Sequence, residues 1–201
     1  MNTTWLRKNL NLANNITISR IVLAFIFMIF LFSTGLIFRY LAIVTFALAC
    51  LTDLYDGRIA RKRNMETNFG RLLDPIADKV LTLSAFLGFV QLGIVPAWMV
   101  ILIITRELAI TGIRIMAIGK NNKVLAADTG GKHKTVSQMV AIFSILIITA
   151  ARESLVGYTG LWRHAYDIWA EKFVLVLLLI TVTLTVVSGV SFIWRHRDII
   201  I

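Results

Sequence analysis

Asp53-Leu54-Tyr55-Asp56-Gly57-Arg58-Ile59-Ala60-Arg61, a basic connector, and then Gly70-Arg71-Leu72-Leu73-Asp74-Pro75-Ile76-Ala77-Asp78 lie between two long apolar runs. Four aspartates thus stand together in a chain with only 11 acidic residues. Carboxylates beside an apolar phase are costly, and a cluster of them marks a functional site. A helical residue advances about 100°, which sets Asp53 and Asp56 about 60° apart, with Gly57 and Ala60 in the same sector. On the following helix Gly70, Asp74 and Asp78 fall within about 80° of one another. Two helices joined by a short connector then present two carboxylate pairs, with small residues that let a ligand or backbone come close.

Working outward, the 201 residues are 58% hydrophobic, with a mean hydropathy of +0.79. Several apolar runs approach the roughly 20 residues that cross a bilayer core. A soluble helical bundle would need polar outer faces, which these runs lack. The expectation is an all-α integral membrane protein, one domain over residues 1–201, with six transmembrane helices and a short N-terminal amphipathic segment on the interface. The net charge of +10 resides in short connectors rather than in a basic tail or domain. That distribution argues against nucleic acid and for positive loops on the cytoplasmic side, which also attract anionic lipid. Cys50 is the single cysteine, so no intrachain disulfide forms, and it reads as a small packing residue. No cleaved signal peptide is expected.

In chain order, residues 1–19 suit a surface-lying segment with Trp5 at headgroup level. A first span runs from about Ile16 to Ile37, its far end blurred by Ser33-Thr34-Gly35. A second helix runs from Phe38 to Arg63 and a third from Gly70 to Leu92, with Pro75 tolerated in the first turn. Gly93-Ile94-Val95-Pro96 is a tight uncharged turn. The fourth helix covers Ala97–Ile118, a polar loop Lys120–Lys134, and the fifth helix Thr135–Ala151. A connector from Arg152 to Trp169, with Tyr158, Trp162, Tyr166 and Trp169, resembles an aromatic interfacial belt. The sixth span is Phe173–Trp194. Most Lys and Arg then fall on the side of both termini, which places the aspartates at the cytoplasmic face of an inner membrane.

Four carboxylates in one small volume do not all stay ionised without cations. Oxygen-only ligands favour hard ions, and Mg²⁺ with retained waters suits a phosphate substrate, with Mn²⁺ the alternative. Two such ions stabilise both the attacking and the leaving oxygen of a phosphoryl displacement. Ion pairs to Arg58, Arg61, Arg63 and Arg71 are the competing explanation. They account for single aspartates but not for four at regular helical spacing with Gly and Ala interleaved.

The pattern Asp53-x2-Asp56-Gly57-x2-Ala60-Arg61-x8-Gly70-x3-Asp74-x3-Asp78 resembles the whole signature of the CDP-alcohol phosphotransferases. The resemblance implies transfer of a phosphatidyl or similar group from a CDP-linked lipid to an alcohol, with release of CMP. It implies a dinuclear metal site on Asp53, Asp56, Asp74 and Asp78, with Asp78 also the general base. Gly57, Ala60 and Gly70 would make room for the cytidine and Arg61 would lie near the diphosphate, Asp56 and Asp74 also meeting the CDP-lipid. A homodimer is implied in the same way.

The acceptor is read from residues further along. Arg106, Glu107 and Arg114 share a helical face, where a buried Arg–Glu pair orients one arginine and a second serves an anion. Lys132 and Lys134 precede the fifth helix, near N–H groups that favour phosphate. Positive-inside topology and snorkelling are the plainer explanation for these cations. Arg106-Glu107-x3-Thr111-Gly112-x-Arg114, Gly131-Lys132-x-Lys134-Thr135-x2-Gln138-Met139 and Asn11-x2-Asn14-x2-Thr17-x2-Arg20 resemble the phosphatidylglycerophosphate-forming branch of the family. Ala13 departs from it, standing where a proline is common. The branch implies CDP-diacylglycerol as donor, with Asn14 and Thr17 in its binding set, and sn-glycerol 3-phosphate as acceptor on Arg106, Arg114, Lys132 and Lys134. Another acceptor alcohol such as inositol phosphate is the alternative within the family. A membrane prenyltransferase and a cation transporter are the alternatives outside it.

Overall fold

A computed structural model describes the backbone of residues 12–63, 68–121, 129–155, 161–195 and 197, with side chains placed for 19–52, 79–113, 134–155, 164–195 and 197. Six helices account for nearly all of it: α1 Leu12–Phe32, α2 Leu36–Arg63, α3 Asn68–Gln91, α4 Ala97–Asn121, α5 Thr129–Ser154 and α6 Leu161–Arg195. Among the described residues there is no strand. The chain divides into two compact units, one through Gly88 and one from Phe89 on.

In the first unit α1 packs against α2. Ala24, Phe27 and Leu31 recur at helical spacing and are buried, as are Ala42, Phe46 and Ala49. The rings of Phe27 and Phe46 meet at 5.3 Å, tilted by 52°, a favourable offset geometry. Between these helices the chain turns at Gly35, whose φ of 111° is a conformation that other residues adopt only with strain. Ser33 Oγ donates to the carbonyl of Ile29 at 2.8 Å, and Arg39 Nη1 donates to that of Leu31 at 2.6 Å. Carbonyls that the last turn of α1 leaves open are satisfied in this way. The first span therefore ends at Phe32, five residues before the expected Ile37, and Gly35 turns the chain into α2, its carbonyl accepting from the N–H groups of Phe38 and Arg39. The helix also begins at Leu12, so residues 12–19 belong to α1 rather than to a separate surface segment. The expected segment's residues 1–11 lie outside the described residues.

The second unit opens with the end of α3. Gly93 N–H donates to Val90 O and Ile94 N–H to Phe89 O, each at 2.9 Å, with Gly93 at a φ of 70°. This paired 5→2 and 6→1 closure caps the helix, and Ala97 starts α4 directly after Pro96. The tight turn expected at Gly93–Pro96 is present. Helix α6 packs against both α4 and α5. Its buried seam, Val174, Leu178, Thr181, Thr185 and Gly189, is spaced by three and four and becomes small and polar towards the C-terminal end.

Three further boundaries differ from expectation. Helix α5 begins at Thr129, which places Gly130, Gly131, Lys132 and Lys134 in a helix and not on a loop. Helix α6 begins at Leu161, so Tyr166 and Trp169 stand in its early turns rather than in a connector. No proline or glycine interrupts residues 161–188. The Arg152–Asp167 ion pair at 2.9 Å and the bond from Tyr166 Oη to Ile148 O at 3.0 Å tie this extension to α5. Tyr158 lies outside the described residues, as does the Trp162 side chain. Finally, α3 begins at Asn68, which puts Pro75 past the first turn, where its nitrogen has no hydrogen for the carbonyl of Arg71.

Large apolar side chains face outward along these helices: Phe25 is 68% exposed, Ile37 73% and Val187 61%. Exposed large apolar side chains in such number need an apolar surrounding. Within the described side chains two stretches, Lys134–Ser154 and His164–Arg195, are long and apolar enough to cross a membrane. Ser19–Phe32, Leu36–Thr52 and Lys79–Gln91 are apolar but shorter.

Candidate active site

The aspartate signature falls on two helices. Asp53 and Asp56 lie three residues apart on α2, and Asp74 and Asp78 four apart on α3. Both spacings bring a pair to one helical face. Gly57, Ala60 and Arg61 share α2, while Gly70 lies early in α3. The side chains of this group lie outside the described residues. Aspartates offer only carboxylate oxygen, a donor type that suits a hard divalent cation and not a soft one. Among the described side chains there is no group of three or more His, Cys, Asp or Glu placed to hold a metal ion.

In the second unit a charged group lies in the helical core. Met99, Ile103, Glu107 and Ile110 form one buried stripe of α4, so the fold brings a carboxylate to the packing face. Glu107 is 3% exposed and Lys134 likewise 3%. A buried carboxylate is tolerated only with donors around it, and Glu107 Oε1 has three. Lys134 Nζ is in direct contact with it, and Arg106 Nη1 and Gln138 Nε2 each approach to 3.4 Å. Arg106 in turn reaches α6, where its Nη2 donates to Ser188 Oγ at 2.8 Å. One carboxylate and one guanidinium thereby join α4, α5 and α6.

Of the expected acceptor residues, the structure brings Arg106 and Lys134 together through Glu107. Lys134 lies in the second turn of α5, buried against that carboxylate. Arg114 lies further along α4 and Lys132 in the first turn of α5, with side chains outside the described residues. Asn14 and Thr17 lie in the first two turns of α1, their side chains also outside; Arg20, which ends that pattern, is buried at 4% exposure. Sequence reasoning missed Ser188 and Gly189, and it noted Gln138 only as part of a pattern. The available signal was small and hydroxyl residues (Thr181, Thr185, Ser188, Gly189) recurring inside an otherwise branched apolar helix.

Comparison with known proteins agrees with the motif. The pattern of the CDP-alcohol phosphatidyltransferase family matches residues 10–194. The CDP-diacylglycerol–glycerol-3-phosphate 3-phosphatidyltransferase of Bacillus subtilis (strain 168) is 44% identical over 149 residues, 68% of this chain and 77% of that protein. A Mycobacterium tuberculosis (strain ATCC 25618 / H37Rv) protein named "Probable phosphatidylglycerophosphate synthase" is 38% identical over 193 residues, 94% of this chain and 83% of that protein. A Rickettsia prowazekii (strain Madrid E) protein bearing the same name as the Bacillus one is 33% identical over 188 residues, 93% of this chain and 96% of that protein. With the match running through every described helix and the aspartate signature complete within it, the chain belongs to the CDP-alcohol phosphatidyltransferase family.

Proposed function

We propose that this chain transfers the phosphatidyl group of CDP-diacylglycerol to sn-glycerol 3-phosphate, forming phosphatidylglycerophosphate and CMP. The observation that carries the reading is the unbroken signature Asp53–Asp78 on α2 and α3 within a family match over residues 10–194. Relatives over most of the chain are named for this donor and acceptor.

In this reading Asp53, Asp56, Asp74 and Asp78 would hold two divalent cations, Mg²⁺ best suited to an all-oxygen set beside phosphates. What the cations supply when bound is neutralisation of the diphosphate charge. Asp78 takes the proton of the acceptor hydroxyl, whose oxygen bonds to the phosphatidyl phosphorus. The bond from that phosphorus to the diphosphate bridging oxygen breaks, and CMP leaves with the electron pair. Asn14, Thr17, Gly57, Ala60, Arg61 and Gly70 seat the CDP-lipid. Arg106, Arg114, Lys132 and Lys134 hold the acceptor phosphate, the buried Glu107 fixing Arg106 and Lys134 as a unit. Orientation by fixed cations provides much of the catalysis in such a transfer.

The setting is one six-span domain in the cytoplasmic (inner) membrane, working as a homodimer, with the aspartates and both termini towards the cytoplasm. The positive connectors and the outward apolar faces support it. The test is CMP release by purified protein from CDP-diacylglycerol with glycerol 3-phosphate, inositol phosphate or glycerol. Turnover with glycerol 3-phosphate well above the others is expected, and preference for another alcohol would reassign the acceptor.

A further inference from the structure

Helix α6 contributes nothing to the proposed substrate-binding set, yet it is where the Arg106 side chain ends. Arg106 Nη2 donates to Ser188 Oγ at 2.8 Å. The stem of the same arginine lies against the next residue: a β-carbon on Gly189 would stand 2.8 Å from Arg106 Cγ and 3.5 Å from its Nε. Nη1 is directed to Glu107 Oε1 at 3.4 Å. A guanidinium is a rigid planar fork, so partners on both terminal nitrogens set its plane as well as its place. Of the neighbouring seam hydroxyls, Thr185 bonds to Thr181 O of its own helix at 2.6 Å, and Thr181 bonds to main-chain carbonyls, Leu177 O at 2.9 Å and Ser137 O of α5 at 3.4 Å. Ser188 instead spends its hydroxyl on a side chain of α4. Gly189 is buried on the seam, and with the contact at Cγ, near the root of the arginine, a methyl there requires the arginine stem or the helix backbone to shift.

We infer that Ser188 and Gly189 are positioning residues for acceptor recognition: Ser188 fixes the plane of the Arg106 guanidinium, and Gly189 provides the space in which the arginine stem lies along α6. The inference rests on the reading of Arg106 as an acceptor-phosphate ligand. It makes the last helix a determinant of which alcohol is accepted.

The experiment measures CMP release in detergent micelles for the wild type, Ser188→Ala, Ser188→Thr, Gly189→Ala, Arg106→Ala and the Ser188→Ala/Arg106→Ala double variant. Each substrate is varied with the other saturating, and thermal unfolding is recorded alongside. Ser188→Ala is expected to raise the KM for glycerol 3-phosphate about tenfold, the lower end for a hydrogen bond to a charged group, leaving kcat and the KM for CDP-diacylglycerol unchanged. Gly189→Ala raises the same KM at least as far, Ser188→Thr keeps it near the wild-type value, and the double variant is no worse than Arg106→Ala because the two act as one unit. Val187→Ala, on the outward face at 61% exposure, has no effect on either KM. If Arg106→Ala raises the acceptor KM while Ser188→Ala and Gly189→Ala do not, the inference falls and the reading of Arg106 stands. If Arg106→Ala leaves it unchanged, both fall. A parallel change in kcat and both KM values with a lowered unfolding temperature, shared by the hydroxyl-retaining Ser188→Thr, would mean packing alone and would also overturn it.

Discussion

Glu107 shows how much one residue carries in an apolar helical core. It occupies a position of α4 whose stripe neighbours are Met99, Ile103 and Ile110, and its Oε1 receives Lys134, Arg106 and Gln138. Replacing a buried ion pair by apolar groups is often nearly neutral, but removing one partner strands the other. Glu107→Ala is therefore expected to destabilise the protein by about 3–5 kcal/mol, read as a lowered unfolding temperature in detergent. Replacing the pair together, Glu107→Leu with Lys134→Met, should recover part of that loss. At the other site, Asp78→Asn is expected to reduce turnover by about 10²–10⁴-fold, the usual size of a general-base contribution, while CDP-diacylglycerol binding measured by displacement is retained in part. Turnover at the wild-type rate would remove Asp78 from the base role.

At the scale of elements, close approach is set by small residues at chosen places. A β-carbon on Gly88 of α3 would lie 2.5 Å from Leu31 Cδ2 and 3.3 Å from Met28 Sδ of α1. Between helices in an apolar surrounding, such contacts supply much of the association energy, because burial of apolar surface adds little there. Gly88→Ala should accordingly cost about 1–3 kcal/mol through overpacking, and Leu31→Ala in the same chain should relieve it. The pair tests the contact by non-additivity in thermal unfolding. Additive losses would show that Gly88 and Leu31 do not press on each other. The boundaries follow comparable local rules: Gly93, at positive φ, ends α3 where the N–H of Ile94 closes the last turn, and Gly35, also at positive φ, leads into α2 while the Arg39 side chain caps Leu31 O of α1.

For the whole molecule, one expected outcome follows from the donor chemistry. Chelation of divalent cations should abolish CMP release, and Mg²⁺ should restore it without refolding, since the described core is built from helix packing and the Glu107 cluster. Activity that survives exhaustive chelation would argue that Asp53, Asp56, Asp74 and Asp78 act as bare carboxylates. How legible this was depended on range. The all-helical class, the turn at Gly93–Pro96 and the helical register of the four aspartates were readable from the chain alone, since each depends on residues within a few positions of one another. The Arg152–Trp169 stretch misled, because the helix end there is decided by neighbours: Asp167 and Tyr166 are held by Arg152 and Ile148 of α5. The meeting of Glu107 with Gln138, 31 positions away, and of Arg106 with Ser188, 82 positions away, has no periodic signature. In helices apolar on most faces, hydropathy does not say which face turns inward, and only the packed tertiary structure brings those polar groups to one seam. The sequence by itself determined the family and the aspartate register; the tertiary structure decided which side chains hold the proposed acceptor cations in place.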